Sequence, residues 1–211
     1  MDFLPTAIND YVEAHTRQES GVLQELERET YLKVLMPRML SGHLQGQVLR
    51  MLSQMIQPER ILEIGTFTGY SAICLADGLR PGGELHTIDI NEELRPMVSS
   101  YFEKAGITEK VKYHTGNALD IIPTLDFAFD IVFIDADKEN YSNYFDLVID
   151  RIRAGSYIIA DNVLWSGKVL DAKPDKDTAA IIAFNDKVQA DPRVENVLLP
   201  VRDGLMVMRK V

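Results

Sequence analysis

From residue 60 onward the chain repeats one pattern, a short apolar run followed by a stretch with helical spacing. The runs are RILEIG, ELHTIDI, KVKYHTG, FDIVFID and SYIIAD, separated by SAICLADGL, ELRPMVSSYFEKAG, ALDIIPTL and a helix expected to reach Arg153. Strands that alternate with helices imply a mostly parallel sheet covered on both faces. The end of the chain departs from the pattern. After a helix expected near 177–190, VENVLLPV and LMVMRKV flank Arg202-Asp203-Gly204, which predicts an antiparallel hairpin. The expected fold is therefore α/β: a doubly wound, Rossmann-like, mostly parallel sheet of seven strands with a carboxyl-terminal antiparallel hairpin.

Residues 2–57 read as helices that cover this sheet. One segment lies before His15. A second, SGVLQELERETYLKVLM, has Val22, Leu23, Leu26 and Leu35 on one side and stops near Pro37. Ser41 is expected to cap a third, which carries Leu44, Val48, Leu49, Leu52 and Ile56. With 211 residues, 46% of them hydrophobic, one domain over 1–211 is expected, a helical cover at 1–57 and a binding and catalytic core at 58–211. The formal charge of −10, without a basic cluster, argues against a nucleic-acid partner. Cys74 has no cysteine to pair with, MDFLPTAIND lacks a basic segment followed by an apolar one, and no run approaches a membrane span. A cytoplasmic protein with no membrane partner is expected.

Two strands end in charge. FDIVFIDADKENY runs into Asp135, Asp137 and Lys138, and SYIIADN into Asp161 and Asn162. Charge at the tip of a buried strand is costly unless it is paired, solvated or holding an ion. If the first, fourth and fifth strands are neighbours, Asp135 and Asp161 emerge about 5 Å apart, one strand spacing, into one crevice. Two such carboxylates repel unless a cation lies between them, and Asn162 adds a third oxygen. An all-oxygen set suits Mg²⁺ or Ca²⁺, while helix or turn caps remain the alternative for each acid. Lys138 returns toward the same edge and is a candidate general base or a solvated lysine. The four histidines and one cysteine show no zinc spacing.

LEIGTFTGYS sets Gly65 and Gly69 after the first strand, where a doubly wound sheet binds its nucleotide. The spacing is not that of a dinucleotide loop, because Phe67 stands where backbone would approach a pyrophosphate. Asp89 ends the second strand, where an acid can accept hydrogen bonds from ribose hydroxyls, unless it only caps the next turn, a role open to Asn91. Glu63 lies within the first strand among Ile61, Leu62 and Ile64, a burial that demands a partner.

These motifs resemble the metal-dependent class I O-methyltransferases, the group of catechol O-methyltransferase and the caffeoyl-CoA O-methyltransferases. The likeness runs through MLSGHLQGQVL, EIGTFTGYS, TIDIN, GNALDIIP, FIDADKENY, ADNVLWSG and PVRDGLMV. It implies S-adenosylmethionine as cofactor, with Glu63 and Gly65 near the methionine moiety, Tyr70 and Ser71 near its carboxylate, Asp89 on the ribose, Asn117 and Ala118 near adenine, and Thr66, Phe67 and Asp135 also at the cofactor. It implies Asp135, Asp161 and Asn162 as ligands of a divalent metal, Mg²⁺ foremost with Ca²⁺ or Mn²⁺ as alternatives, Lys138 as the catalytic base, and a homodimer. The expected activity is methylation of a catechol-like small molecule. The rivals are a non-catalytic S-adenosylmethionine-binding module and an NAD-dependent dehydrogenase. Ser41, Trp165 and Asp203 carry open roles: cap or site, core or pocket wall, hairpin turn or substrate contact.

Overall fold

A computed structural model describes residues 4–211; the first three residues of the expected cover lie outside it. The elements follow in the order α1 (Thr6–Ala14), α2 (Gly21–Lys33), α3 (Gly42–Ile56), β1 (Arg60–Ile64), α4 (Tyr70–Ala76), β2 (Glu84–Asp89), α5 (Arg95–Lys104), β3 (Val111–Thr115), α6 (Ala118–Ile121), β4 (Phe129–Ile134), α7 (Tyr141–Ile149), β5 (Ile152–Ala160), α8 (Lys176–Ala190), β6 (Val194–Leu199) and β7 (Leu205–Lys210). One seven-stranded sheet holds them together in the order β3-β2-β1-β4-β5-β7-β6. The first five strands pair in parallel, whereas β7 runs antiparallel to both β5 and β6, as the hairpin pattern predicts.

The central strands are apolar on both faces because both are covered. Leu62, Ile64, Val132, Ile134 and Ile158 pack with Phe145 of α7 and Phe184 of α8. On the opposite face Ile61, Ile131, Phe133 and Ile159 pack with Leu26, Leu49, Leu75 and Val98 from α2, α3, α4 and α5. Each such fully buried side chain contributes roughly 1.5–3 kcal/mol. Glu63 falls on the second face, the one carrying α3 and α4.

Three local expectations are corrected. Helix α2 is capped by Ser20, whose side chain accepts from the Leu23 N–H, but it ends at Lys33; Leu35 lies beyond it and is 89% exposed. Ser41 does not cap α3: its backbone is already helical, its side chain makes no capping bond, and the residue is buried. Arg153 belongs to β5, since α7 stops at Ile149 and Asp150 closes it. The strand begins early because Gly155, at φ +89°, lets the chain bend within it and still pair with β4 across a shift in register. No described helix is long and apolar enough to cross a membrane.

Candidate active site

The parallel register creates a row of residues along the carboxyl edge of the sheet. Ile64 pairs with Ile134 and Ile134 with Ala160, so the next residues, Gly65, Asp135 and Asp161, stand side by side. Each is pinned by its neighbour. Gly65 N–H donates to Ile88 O at 2.9 Å, Asp135 N–H to Ile64 O at 2.9 Å, and Asp161 N–H to Ile134 O at 3.0 Å. Glycine is required at 65 because φ is +101° and a Cβ would lie 1.9 Å from the Asp135 carbonyl oxygen.

Beyond Gly65 the loop is ordered by the acid at the tip of β2. Phe67 adopts the left-handed conformation, φ 49°, and its N–H donates to Asp89 Oδ2 at 2.7 Å. Asp89 Oδ1 accepts from the Asn91 N–H at 2.8 Å, while Asn91 itself caps the following turn by accepting from Glu93 N–H. Asp89 therefore shapes two loops, and each oxygen keeps a further lone pair for a ligand hydroxyl.

Beneath the loop Glu63 is fully buried. Thr87 Oγ1 donates to its Oε2 at 2.5 Å, and Thr87 in turn shares a hydrogen bond with Thr66 Oγ1 at 2.5 Å. Glu63 Oε1 has no protein partner. Burial pushes its pKa up to about 8, partly opposed by the neighbouring Ser71 and Thr87 hydroxyls. A buried carboxylate oxygen without a donor, below a glycine loop, fits the contact with a charged cofactor that the motifs imply. Tyr70 differs from its neighbours: its side chain is buried against α3 and its hydroxyl donates to Glu19, so only its backbone can serve the loop. Asn117 caps α6 through Leu119 N–H at 3.0 Å, with Ala118 buried behind it.

The second half of the row carries the charge. Lys138, its side chain only 9% exposed, donates from Nζ to Asp135 Oδ1 at 3.2 Å, Asn162 Oδ1 at 2.8 Å and Tyr141 Oη at 2.6 Å. Tyr141 is itself fixed, donating to the Asp161 carbonyl at 3.0 Å. Asn162 takes a left-handed turn, φ 59°, directly after β5. Asp161 is 2% exposed, and burial followed by repulsion from Asp135 raises its pKa to about 7. Its oxygens accept from Asn162 N–H at 2.6 Å and Gln45 Nε2 at 2.5 Å. Two carboxylates and an amide oxygen form a donor set suited to a hard divalent cation. Among the described residues no group of three His, Cys, Asp or Glu could hold one, consistent with a candidate set that has only two acids.

Trp165 and Asp203 both lie near this edge. Trp165 is half buried, packs against the core and has its ring centre 5.7 Å from Lys138 Nζ. Asp203 sits in the hairpin turn and also accepts from the Ser166 N–H at 2.5 Å, tying that turn to the Trp165 loop. Two residues were missed by sequence reasoning, Tyr141 and Gln45. The signal for Gln45 was available: it shares a helix face with Leu49 and Leu52, so its amide had to be buried.

A family model described as O-methyltransferase matches residues 13–211. The chain belongs to this O-methyltransferase family. Caffeoyl-CoA O-methyltransferase from Petroselinum crispum is 36% identical over 210 residues, covering 92% of this chain and 86% of the relative. Caffeoyl-CoA O-methyltransferase 1 from Eucalyptus globulus is 36% identical over 180 residues, 79% of this chain and 73% of the relative. Among solved structures, an O-methyltransferase from Bacillus cereus in complex with SAH is 33% identical with a TM-score of 0.88, covering 97% of each chain. TomG from Streptomyces achromogenes, in complex with SAM, is 30% identical with a TM-score of 0.87, covering 97% of this chain and 96% of that one. This O-methyltransferase is thus a member of a class I S-adenosylmethionine-dependent family, as the motifs implied, and the matches favour neither rival.

Proposed function

We propose that the chain is a divalent-metal-dependent O-methyltransferase that transfers the methyl group of S-adenosylmethionine to one hydroxyl of a catechol-like small molecule. The observation that carries this reading is the convergence of Lys138 Nζ, Asp135 and Asn162 beside the buried Asp161 on one sheet edge. The cofactor, when bound, supplies an activated sulfonium methyl. Glu63, Gly65, Thr66, Phe67, the Tyr70 backbone, Ser71, Asp89, Asn117, Ala118 and Asp135 would hold and orient it. Asp135, Asp161 and Asn162 would hold the metal, Mg²⁺ foremost, which supplies Lewis acidity and a template for two adjacent oxygens.

What remains for the protein is alignment and one proton. Lys138 Nζ, held beside Asp135 and Asn162, is the group on this edge placed to take the hydroxyl proton. Tyr141 keeps Nζ at the edge while this happens. Trp165 offers an aromatic wall close to Lys138, of the kind a phenolic ring packs against. The reading extends to a homodimer, supported by the exposed Leu32, Leu35, Met36 and Met39 around the end of α2, and sedimentation of the purified protein tests it. Labelled-methyl transfer to a catechol, with Mg²⁺ and then with chelator, tests the function: transfer that stops with chelator supports it, and undiminished transfer contradicts the metal's part.

A further inference from the structure

We infer that Gln45 is a positioning residue for Asp161 and that Arg202 sets the orientation of the Gln45 amide. This rests on the metal-dependent reading above. Gln45 is fully buried on α3, where its amide must satisfy a donor end and an acceptor end. Nε2 donates to Asp161 Oδ2 at 2.5 Å, and Oε1 accepts from Arg202 Nη1 at 3.3 Å. An amide turned half a revolution would set its oxygen against the Asp161 carboxylate and its NH₂ against the guanidinium. The charges at the two ends select one orientation, the one that donates to Asp161.

Arg202 is well held for this task. Its guanidinium also donates to the carbonyls of Leu40, at 3.0 Å, and Ser41, so it clasps the start of α3 to the turn between β6 and β7. Its own backbone is left-handed, φ 48°, an unfavourable conformation for a long side chain that the surrounding bonds must maintain. At the other end, Asp161 has one oxygen on the Asn162 N–H and the other on Gln45, which fixes its rotation while leaving a lone pair on each oxygen. A carboxylate held in one rotamer loses less freedom when it takes a cation than one free to turn, and partners of this kind are commonly worth 10–100-fold in metal affinity. The chain Arg202–Gln45–Asp161 thereby joins the helical cover, the carboxyl-terminal hairpin and the tip of β5.

The test measures Mn²⁺ binding by titration calorimetry and by the electron paramagnetic resonance of free Mn²⁺, with neither cofactor nor acceptor present, and S-adenosylmethionine binding in a separate titration. The proteins are the full chain, Gln45→Met, Arg202→Met, the double variant, Arg202→Lys, and Asp161→Asn as the variant that removes a ligand. The inference predicts that Gln45→Met weakens Mn²⁺ by roughly 10–100-fold while S-adenosylmethionine affinity stays within about twofold. Arg202→Met weakens it less, Arg202→Lys restores part of the loss, and the Arg202→Met effect disappears once residue 45 is Met. Parent-like Mn²⁺ binding by Gln45→Met overturns the inference. So does an Arg202→Met effect that persists undiminished in the double variant, or, should Gln45→Met not fold, parent-like binding by Arg202→Met. A parent chain that binds Mn²⁺ no better than Asp161→Asn contradicts the metal reading and the inference together; a parent that binds well, with Gln45→Met unaffected, contradicts the inference alone.

Discussion

Lys138 Nζ lies 2.8 Å from Asn162 Oδ1, a contact that joins the turn after β4 to the turn after β5 across the sheet edge. It brings the candidate base to the candidate metal ligands without help from any long loop. Both turns follow strands whose register is fixed by fully buried residues, so the spacing of these groups is a property of the core.

Replacing Lys138 with Ala is expected to lower kcat by roughly 10²–10⁴-fold, the loss typical of a missing general base. Cofactor affinity should change far less, because the Gly65–Ser71 loop is organised by Asp89 and Glu63. Steady-state kinetics alongside equilibrium binding of S-adenosylmethionine separates the two, and turnover at the parent rate would make Lys138 a merely structural cation.

Asp161→Ala should abolish methyl transfer yet leave S-adenosylmethionine binding near that of the parent. The loop that carries Gly65 and Phe67, and the Asp89 that orders it, make none of their hydrogen bonds to Asp161. Calorimetry with the cofactor alone checks this; a variant that no longer binds it would show that Asp161 supports the cofactor site instead.

Much of this arrangement was legible in the sequence. Asp135 and Asp161 could be placed together because strand periodicity and the parallel topology fix which residues share an edge. The Arg202–Gln45–Asp161 chain was not legible, because it depends on the packing of α3 against a turn 157 residues later, and no local pattern encodes such a distance. Ser41 shows the same limit: a serine before a helix reads as a cap, yet the guanidinium of Arg202 takes its carbonyl and the side chain is left out of the capping role. Tyr70 reads as a loop contact until Glu19, just before α2, accepts from its hydroxyl.

Gly65→Ala is expected to destabilise the protein by about 2–4 kcal/mol, combining overpacking against the Asp135 carbonyl with an unfavourable φ. Thermal unfolding should fall by roughly 5–15 °C for a chain of this size. An unchanged Tm would mean that β1 and β4 separate at this edge more easily than their hydrogen bonds suggest.

Acid should weaken the fold through His86. Burial, then the neighbouring His114, lowers its pKa to about 4 from an ordinary value of 6.5. Below 6.5 the unfolded chain takes a proton that folded His86 refuses until about pH 4, so stability is fully present above 6.5 and is lost as pH falls through that window. The loss is on the order of 1–3 kcal/mol, with His114, whose pKa is also lowered, adding in the same direction. Urea unfolding at pH 7 and pH 5 should show a smaller drop for His86→Gln than for the parent; an equal drop assigns the acid sensitivity to other groups.

The proposed chemistry requires two adjacent acceptor oxygens at the Asp135, Asp161 and Asn162 edge. Three protein ligands leave about three positions on an octahedral cation, enough for a vicinal diphenol but only half used by a monophenol. The most direct measurement is kcat/KM for a catechol and for its 4-hydroxy analogue under saturating Mg²⁺. The catechol is expected to be methylated far faster, with one regioisomer favoured when the ring is asymmetric. Equal values for the two substrates would contradict it.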